Sequence, residues 1–510
     1  MVVLSARPLT IGEVVAVARR GEAVEIDPCV EEAMAPAHDV IERAVAEAST
    51  VYGVTTGFGA LATTRISSDA AVNVQQALVL SHAAGMGPLV EVDVVRAMQL
   101  LRARTLAVGV SGVRPALVHG IAGLLNAGVT PAVPEIGSLG ASGDLAPLAH
   151  AALVLTGAGW VLDGDGRRPV DAAPRLEAAG IEPLVLQAKE GLALLNGTEG
   201  MLAHLCLAVA DLDVVLRTAD VACAMSVEAL HGTDANFAER IHALRPHAGQ
   251  VAVAANLRTL LAGSPIVASH RTNHHVVQDA YSIRCAPAVH GATRDAVDHA
   301  RRVTEVELAS VTDNPVVFEA DGAVLSTGNF HGQPLAYAAD FVAIALAGMG
   351  AIVERRIDRM MDPARSEGLP PFLAPEAGVN SGFMLAHYTA ASLVNRLRGA
   401  AAPSSIDSIS TSGGQEDHVS MGWNACRSLH RAVADLTRLV AVEAVCAAEA
   451  VELRGIAPGA ATSAAVSALR EEIPRMDVDR FLAPDLAAAE RLVRDGVVID
   501  AVEQVTGRLL

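Results

Sequence analysis

Three stretches of mostly apolar sequence, residues 201–216, 334–353 and 432–453, dominate the second half of this chain. Each is far longer than a typical strand. Each carries isolated acids: Asp211 and Asp213, Asp340, and Asp435 with Glu443. The second is long enough to suggest a membrane span. Asp340 near its middle would cost about 2.5–3.5 kcal/mol there, and no other segment gives a clean span. Helices that are apolar nearly all round are more simply the interior of a large bundle. Aromatic residues make up only 3% of the 510, so alanine, valine and leucine must build the core. Alanine-rich segments favour helix. The expected fold is mainly α, and several such helices also invite burial against other subunits.

The formal net charge of −19 argues against a nucleic-acid partner or an anionic membrane surface. It suits an enzyme with a small-molecule substrate. The six cysteines, Cys29, Cys206, Cys223, Cys285, Cys426 and Cys446, include no CxxC pair. That spacing fits buried free thiols in a reducing compartment better than a disulfide framework or a zinc site. The first residues are interrupted by Arg7 and Glu13 and do not read as a signal peptide, so a cytoplasmic protein is expected. Lys189 is the only lysine, so a catalytic Schiff base could use no other.

Residues 9–48 read as short helices interrupted by Pro28 and Pro36. The glycine-rich run from Val51 to Gly59 reads as a loop holding Tyr52, which could simply pack that loop. Ser68 looks like the N-cap of a helix from Asp69 towards Ala84, with His82 in its last turn. A histidine there can simply hydrogen-bond the free carbonyls and complement the helix dipole, or serve as a ligand. Further helices are expected over residues 91–108 and 115–125, a small hairpin near Trp160, and a turn or helix end at Asn196-Gly197.

Between these elements lies the run from Pro134 to Pro147, centred on Ala141-Ser142-Gly143. As plain structure it is a turn before a helix capped by Asp144, with Pro147 tolerated in the first turn. No Gly-Lys-Ser/Thr follows, so it is not a phosphate-cradling Walker loop. The three small residues also allow tighter chemistry. The Gly143 amide nitrogen can reach the Ala141 carbonyl carbon and close a five-membered ring. Loss of water from the ring and from Ser142 then leaves an exocyclic methylene, a carbon electrophile made from the chain itself.

Four other stretches hold reactive groups. Gln278, Tyr281 and Arg284 would share a broad helical face, and an arginine fork there could clamp a carboxylate. Residues 311–315 form a turn. Phe330 sits among small polar residues in Gly-Asn-Phe-His. The run Gln415-Glu416-Asp417-His418-Val419-Ser420-Met421-Gly422 is dense in titratable groups. Each alone has a structural explanation, as ion pair, Asx-turn, loop anchor or solvated loop. His274-His275 and His418 lack HExxH metal spacing.

Taken in order, the Tyr52 loop, Ser81-His82-Ala83-Ala84-Gly85, the Ala-Ser-Gly run, Asn196-Gly197-Thr198, Tyr281-Ser282-Ile283-Arg284-Cys285, the Phe330 segment and the Glu416 segment resemble the aromatic amino acid lyases. The resemblance covers roughly residues 45–455. It implies a fumarase-like helical fold, with an N-terminal lobe at 1–200 and a helical-bundle domain at 201–510. It implies a homotetramer whose active sites draw on three subunits, so that Tyr52, Arg284 and Glu416 come from different chains. It also implies that Ala141, Ser142 and Gly143 become 4-methylidene-imidazole-5-one (MIO), with no external cofactor and no metal.

Within the family, His82 and Glu416 point to L-histidine, deaminated to trans-urocanate and ammonia. By resemblance the substrate amine adds to the MIO methylene, although attack by the imidazole ring is the older alternative. Tyr52 removes the β-proton, and Gln278 and Asn196 hydrogen-bond the MIO ring and the amine. Arg284 holds the carboxylate, His82 and Glu416 meet the imidazole, Tyr281 positions or moves a proton, and Phe330 walls the ring. A helix beginning at Asp144 would aim its positive end at the MIO carbonyl. Ala288 replaces a usual glutamine, and Gln333 in Gly-Asn-Phe-His-Gly-Gln-Pro also matches an aminomutase pattern. An aminomutase or a tyrosine or phenylalanine ammonia-lyase is therefore the alternative, and a non-catalytic helical scaffold the second.

Overall fold

The protein is described by a computed structural model covering residues 1–47, 49, 51, 56, 71–164, 166, 168–271 and 277–510, with backbone alone at 71 and 72. Tyr52, Ser68 and the His274-His275 pair lie outside the described residues. The fold is mainly α, as expected. The long helices are Glu199–Ala229, Ala286–Ala309, Gln333–Met361 and Gly422–Leu453, of 31, 24, 29 and 32 residues. At 1.5 Å per residue the first spans about 46 Å. Strands contribute only four two-stranded pairs among the described residues, including the antiparallel hairpin of Trp160–Leu162 with Pro169–Asp171.

The three apolar stretches fall inside three of these long helices. Gln333–Met361 is long and apolar enough to cross a membrane, yet 61% of its most apolar window is buried and Asp340 is only 2% exposed. It packs as a core helix does. The fourth long helix, Ala286–Ala309, has a mixed surface of Arg, Asp, His and Glu, so no apolar run announced it.

One expectation fails locally. Pro36 does not interrupt its helix, which runs unbroken over Cys29–Ala46. A proline inside a helix costs about 3 kcal/mol. Here Val30, Met34, Ala37, Val40 and Ile41 bury one face of the same helix. At about 1.5–3 kcal/mol for each large apolar side chain, that burial outweighs the missing bond. Pro28 stands at the N-cap position, where a proline is harmless.

The chain divides into two units. The first comprises Met1–Ala210, Ala300–Ala339 and Ser404–Arg427; the second comprises Asp211–His299, Asp340–Pro403 and Ser428–Leu510. Phe330 and Glu416, which a division at residue 200 puts with the bundle, therefore belong to the same unit as Ala141-Ser142-Gly143. In that unit the helix Val92–Ala107 is buried along nearly its whole length, Arg96, Arg102 and Arg104 included.

The second unit holds a buried polar network. Arg356 and Glu443 are both fully buried and paired, with Arg356 Nη2 to Glu443 Oε2 at 2.9 Å. Ser226 Oγ donates to the same carboxylate at 2.8 Å. His290 Nδ1 meets Asp220 Oδ1 at 2.8 Å, and Arg294 meets Asp220 Oδ2 at 2.6 Å. Burial alone would lower the Arg356 guanidinium, but nearby Cys223 and Glu443 hold it above its ordinary value. Burial keeps His290 below the usual imidazole range against the pull of Asp220.

Candidate active site

Ala141 and Ser142 line a cavity of about 910 Å³ in the first unit. His82, Asn196, Phe330 and Glu416 line the same cavity. Four segments from distant parts of the sequence, spread over residues 82 to 416, thus meet the tripeptide at one cavity.

The loop carrying it is fastened from several sides. Ser420 Oγ donates to the Gly140 carbonyl at 2.8 Å, and the Gly332 amide donates to it at 3.2 Å. Trp423 Nε1 donates to the Glu135 carbonyl at 2.7 Å, and Arg427 pairs with Glu135 Oε2 at 2.6 Å. On the far side, the Asp144 amide donates to Gly197 O at 2.7 Å. Gly143 has φ +75°, and a Cβ there would stand 2.0 Å from Gly197 O. Only glycine fits that close approach.

Asn196 closes the helix Glu190–Leu195 and is 2% exposed. Its Nδ2 donates to Ser142 O at 2.8 Å. Its buried Oδ1 has no hydrogen-bond partner among the described residues. An acceptor left over beside a clamped carbonyl fits a group that completes the site. The tightly folded tripeptide and a donor already on Ser142 O fit MIO, the group this family implies.

Asp144 does begin a helix, Leu145–Leu155, but its carboxylate does not cap it. Instead Oδ2 accepts from the Met201 amide at 2.8 Å and Oδ1 from Ser138 Oγ at 3.0 Å. The side chain is fully buried, and desolvation lifts its pKa from 3.8 to about 7 despite the hydrogen bonds it accepts. Its proton is thus held more tightly in the folded state. The stability this gives is complete below pH 3.8 and is lost as the pH rises towards about 7. The thermal midpoint of the wild type, relative to Asp144→Asn, is expected to fall across that window and then level off. A difference that stays constant or rises would show that Asp144 ionises normally.

His82 ends the helix Ala71–His82, in the last turn as expected. Its Nδ1 lies 2.9 Å from the Leu78 carbonyl. A carbonyl can only accept, so the proton of the neutral ring sits on Nδ1 and leaves Nε2 as an acceptor. Glu416 is half-buried and takes a 3.3 Å hydrogen bond from Thr411 Oγ1. Two further histidines line the cavity with their rings parallel, His331 and His418, 5.7 Å between centroids. Asn314 and Thr327 line it too, the Thr327 amide donating to Asn314 Oδ1 at 2.8 Å. All four sit in stretches the sequence singled out, but no pattern marked them individually.

Gln278, Tyr281 and Arg284 are not among the residues lining this cavity and belong to the second unit. They do not share a helical face either, because the helix is the single turn Tyr281–Arg284. Asp279 is the reason. Its carboxylate accepts from the Thr233 amide at 2.9 Å and from Asn236, which holds the chain extended up to Ala280. Tyr281 is 71% exposed, with the Arg284 guanidinium 4.5 Å from its ring centroid.

Long core helices and a cavity lined by Ala141 and Ser142 of the Ala-Ser-Gly run define the class, a mainly α-helical lyase. The chain belongs to the aromatic amino acid lyase family, whose model matches residues 9–471. It is 52% identical to the histidine ammonia-lyase of Streptomyces avermitilis, over 100% of this chain and 99% of that one. Among solved structures it resembles histidine ammonia-lyase from Trypanosoma cruzi, with TM-score 0.91 and 38% identity over 99% of this chain and 96% of that one. It also resembles a tyrosine aminomutase from Streptomyces globisporus, with TM-score 0.92 and 38% identity over 100% of both chains.

Proposed function

We propose that this protein is an ammonia-lyase that deaminates L-histidine to trans-urocanate and ammonia. The observation that carries this reading is the shared cavity, where His82 and Glu416 stand with Ala141 and Ser142. The high identity with histidine ammonia-lyases over the full length supports it. The aminomutase pattern at Gln333 has no counterpart in the cavity: Gln333 does not line it, and its Nε2 donates to Ser405 O at 3.4 Å.

MIO, once formed from Ala141-Ser142-Gly143, would supply an electrophilic carbon for an amine that otherwise leaves poorly. Around it the chain's own side chains bind and orient. Asn196 Nδ2 holds the oxygen of Ser142 and leaves Oδ1 to accept from the substrate's amine. His82 Nε2 would accept from the imidazole N–H, and Glu416 would meet the other side of the ring, accepting from it when the ring is protonated or taking a proton. Phe330 walls the ring. Tyr52 is the proposed base for the β-proton, with Gln278 supplied to hydrogen-bond the MIO ring and the amine, Arg284 to hold the carboxylate and Tyr281 to position or move a proton. The helix Leu145–Leu155 would set its positive end towards the Ser142 carbonyl.

We infer further that the protein works as a homotetramer with shared sites, in the cytoplasm. The exposure of Tyr281, with the half-buried Arg284 beside it outside the cavity, supports sharing. So does the exposed apolar stripe of Tyr337, Phe341 and Ile344 on Gln333–Met361, 44%, 49% and 46% exposed. The six free cysteines, four of them buried, suit a reducing compartment.

The direct test is near-ultraviolet absorbance of the protein with L-histidine, where a growing conjugated acrylate signal marks trans-urocanate. No signal with histidine but one with tyrosine would overturn the substrate. A β-amino acid product would favour the aminomutase. Glu416→Gln is expected to lower kcat by about 10²–10⁴-fold, the contribution of a positioned acid–base group. The mass of the tripeptide should not change. A kcat within threefold of the parent (~0.6 kcal/mol) would remove Glu416 from proton transfer.

A further inference from the structure

Behind the tripeptide lies a buried set of four charges that the chemistry above leaves unused. Arg102 and Lys189 face Glu199 and Asp313, with side-chain exposures of 2%, 0%, 2% and 0%. Lys189 Nζ meets Asp313 Oδ2 at 2.7 Å, and Arg102 Nη1 meets Glu199 Oε1 at 2.7 Å. Buried ion pairs are poor sources of stability, because desolvation offsets their attraction. Their geometry is the better guide to their use.

One guanidinium holds one turn. Arg102 Nε donates to the Ala193 carbonyl at 2.8 Å, and Nη2 donates to the same oxygen. Arg102 Nη1 donates to the Asn196 carbonyl at 3.1 Å. Glu199, on the other side of the turn, is tied to the same guanidinium. Between them sits Gly197. A Cβ there would stand 2.3 Å from Arg102 Nη1 and 2.2 Å from Glu199 Oε2. The opposite side of Gly197 bears on Gly143, through the pairing of the two glycines and the 2.0 Å that separates Gly197 O from a Gly143 Cβ. Gly197 is therefore wedged between the ion pair and the residue whose nitrogen must close the ring.

We propose that the Arg102–Glu199 pair is the positioning device for maturation of Ala141-Ser142-Gly143. It makes the turn at residues 196–198 a rigid backstop that keeps Gly143 folded back for attack on Ala141. The inference rests on the MIO reading. In that step a bond forms from Gly143 N to the Ala141 carbonyl carbon. The Ala141 oxygen leaves as water with the amide hydrogens of Ser142 and Gly143. The Ser142 hydroxyl leaves as a second water with the Ser142 α-hydrogen. No oxidant is needed. Arg102 and Glu199 touch none of the reacting atoms, so they act through the turn at residues 196–198.

The test follows maturation by peptide mass, since each mature tripeptide has lost two waters. Glu199→Gln and Arg102→Lys keep the volume and loosen the fork. Newly made by cell-free translation of the full chain, they are expected to lose water about 10²-fold more slowly than the parent, as misplacement by about 1 Å would cause. Leu436→Ala, a buried substitution in the second unit, is the control for general destabilisation and is expected to mature fully. Equal maturation rates in parent and Glu199→Gln would overturn the proposal, as would an equal slowing in Leu436→Ala. If neither charge variant yields folded protein, the pair is structural and the proposal falls. A parent tripeptide at its unmodified mass would instead overturn the MIO reading itself.

Discussion

Ser142→Ala is expected to lose at least about 10³-fold in kcat while remaining folded. Enzymes of this kind of difficulty accelerate their reactions by about 10⁶-fold or more, and positioned acids and bases account for only about 10²–10⁴ of that. The remainder depends on an electrophile that needs the Ser142 side chain to form its methylene. The loss should come with a tripeptide of unmodified mass. Stability should hardly change, because the contact that ties Ser142 down is its carbonyl, to Asn196 Nδ2, and an alanine keeps that carbonyl. Near-ultraviolet turnover assays beside intact peptide mass check both halves. A variant as active as its parent would mean that the central run is only a loop, and the chemistry proposed above is wrong.

Glu443→Gln is expected to destabilise the protein by about 3–5 kcal/mol, the cost of leaving a buried charge without its partner. Arg356 is fully buried, and its carboxylate partner is Glu443, bound through both oxygens. Its other contacts are weaker: the Ser282 carbonyl at 3.2 Å and His290 Nε2 at 3.4 Å. A neutral amide can accept from the guanidinium but cannot balance its charge. The double variant Arg356→Met, Glu443→Leu is expected to recover most of the loss, since apolar residues of similar volume often replace a buried pair at little cost. Thermal or urea unfolding of the parent, both single variants and the double one closes the cycle. A small loss in Glu443→Gln would mean that the guanidinium finds its compensation elsewhere in the Asp220–His290 network.

Much of the fold is legible in the sequence because apolar runs with few aromatics and much alanine have one good use, the interior of a helical bundle. The helices at Val92–Ala107 and Ala116–Asn126 lie within a residue or two of their expected ends, and the hairpin at Trp160 also follows from local signals. Pro36 shows where local signals fail. Proline opposes helix by a local cost, but the buried face of Cys29–Ala46 is set by distant packing. Gln278 fails for a similar reason, since Asp279 finds its partners at Thr233 and Asn236, over forty residues away.

The site divides in the same way. Ala141-Ser142-Gly143, His82, Asn196, Phe330 and Glu416 are legible as motifs in order, and the family follows from that order. Their meeting in one cavity is a tertiary fact, because nothing local brings residue 82 to residue 416. Asp144 reads in sequence as a helix cap; burial lifts its carboxyl to a pKa of about 7, against the pull of the Met201 amide. Arg102 and Glu199 carry no motif at all. Their bearing on Gly197 exists only when three segments close around one glycine, so the sequence alone determines which groups are available for chemistry. Packing decides where they press, because burial, ion pairing and close backbone approach are properties of neighbours in space.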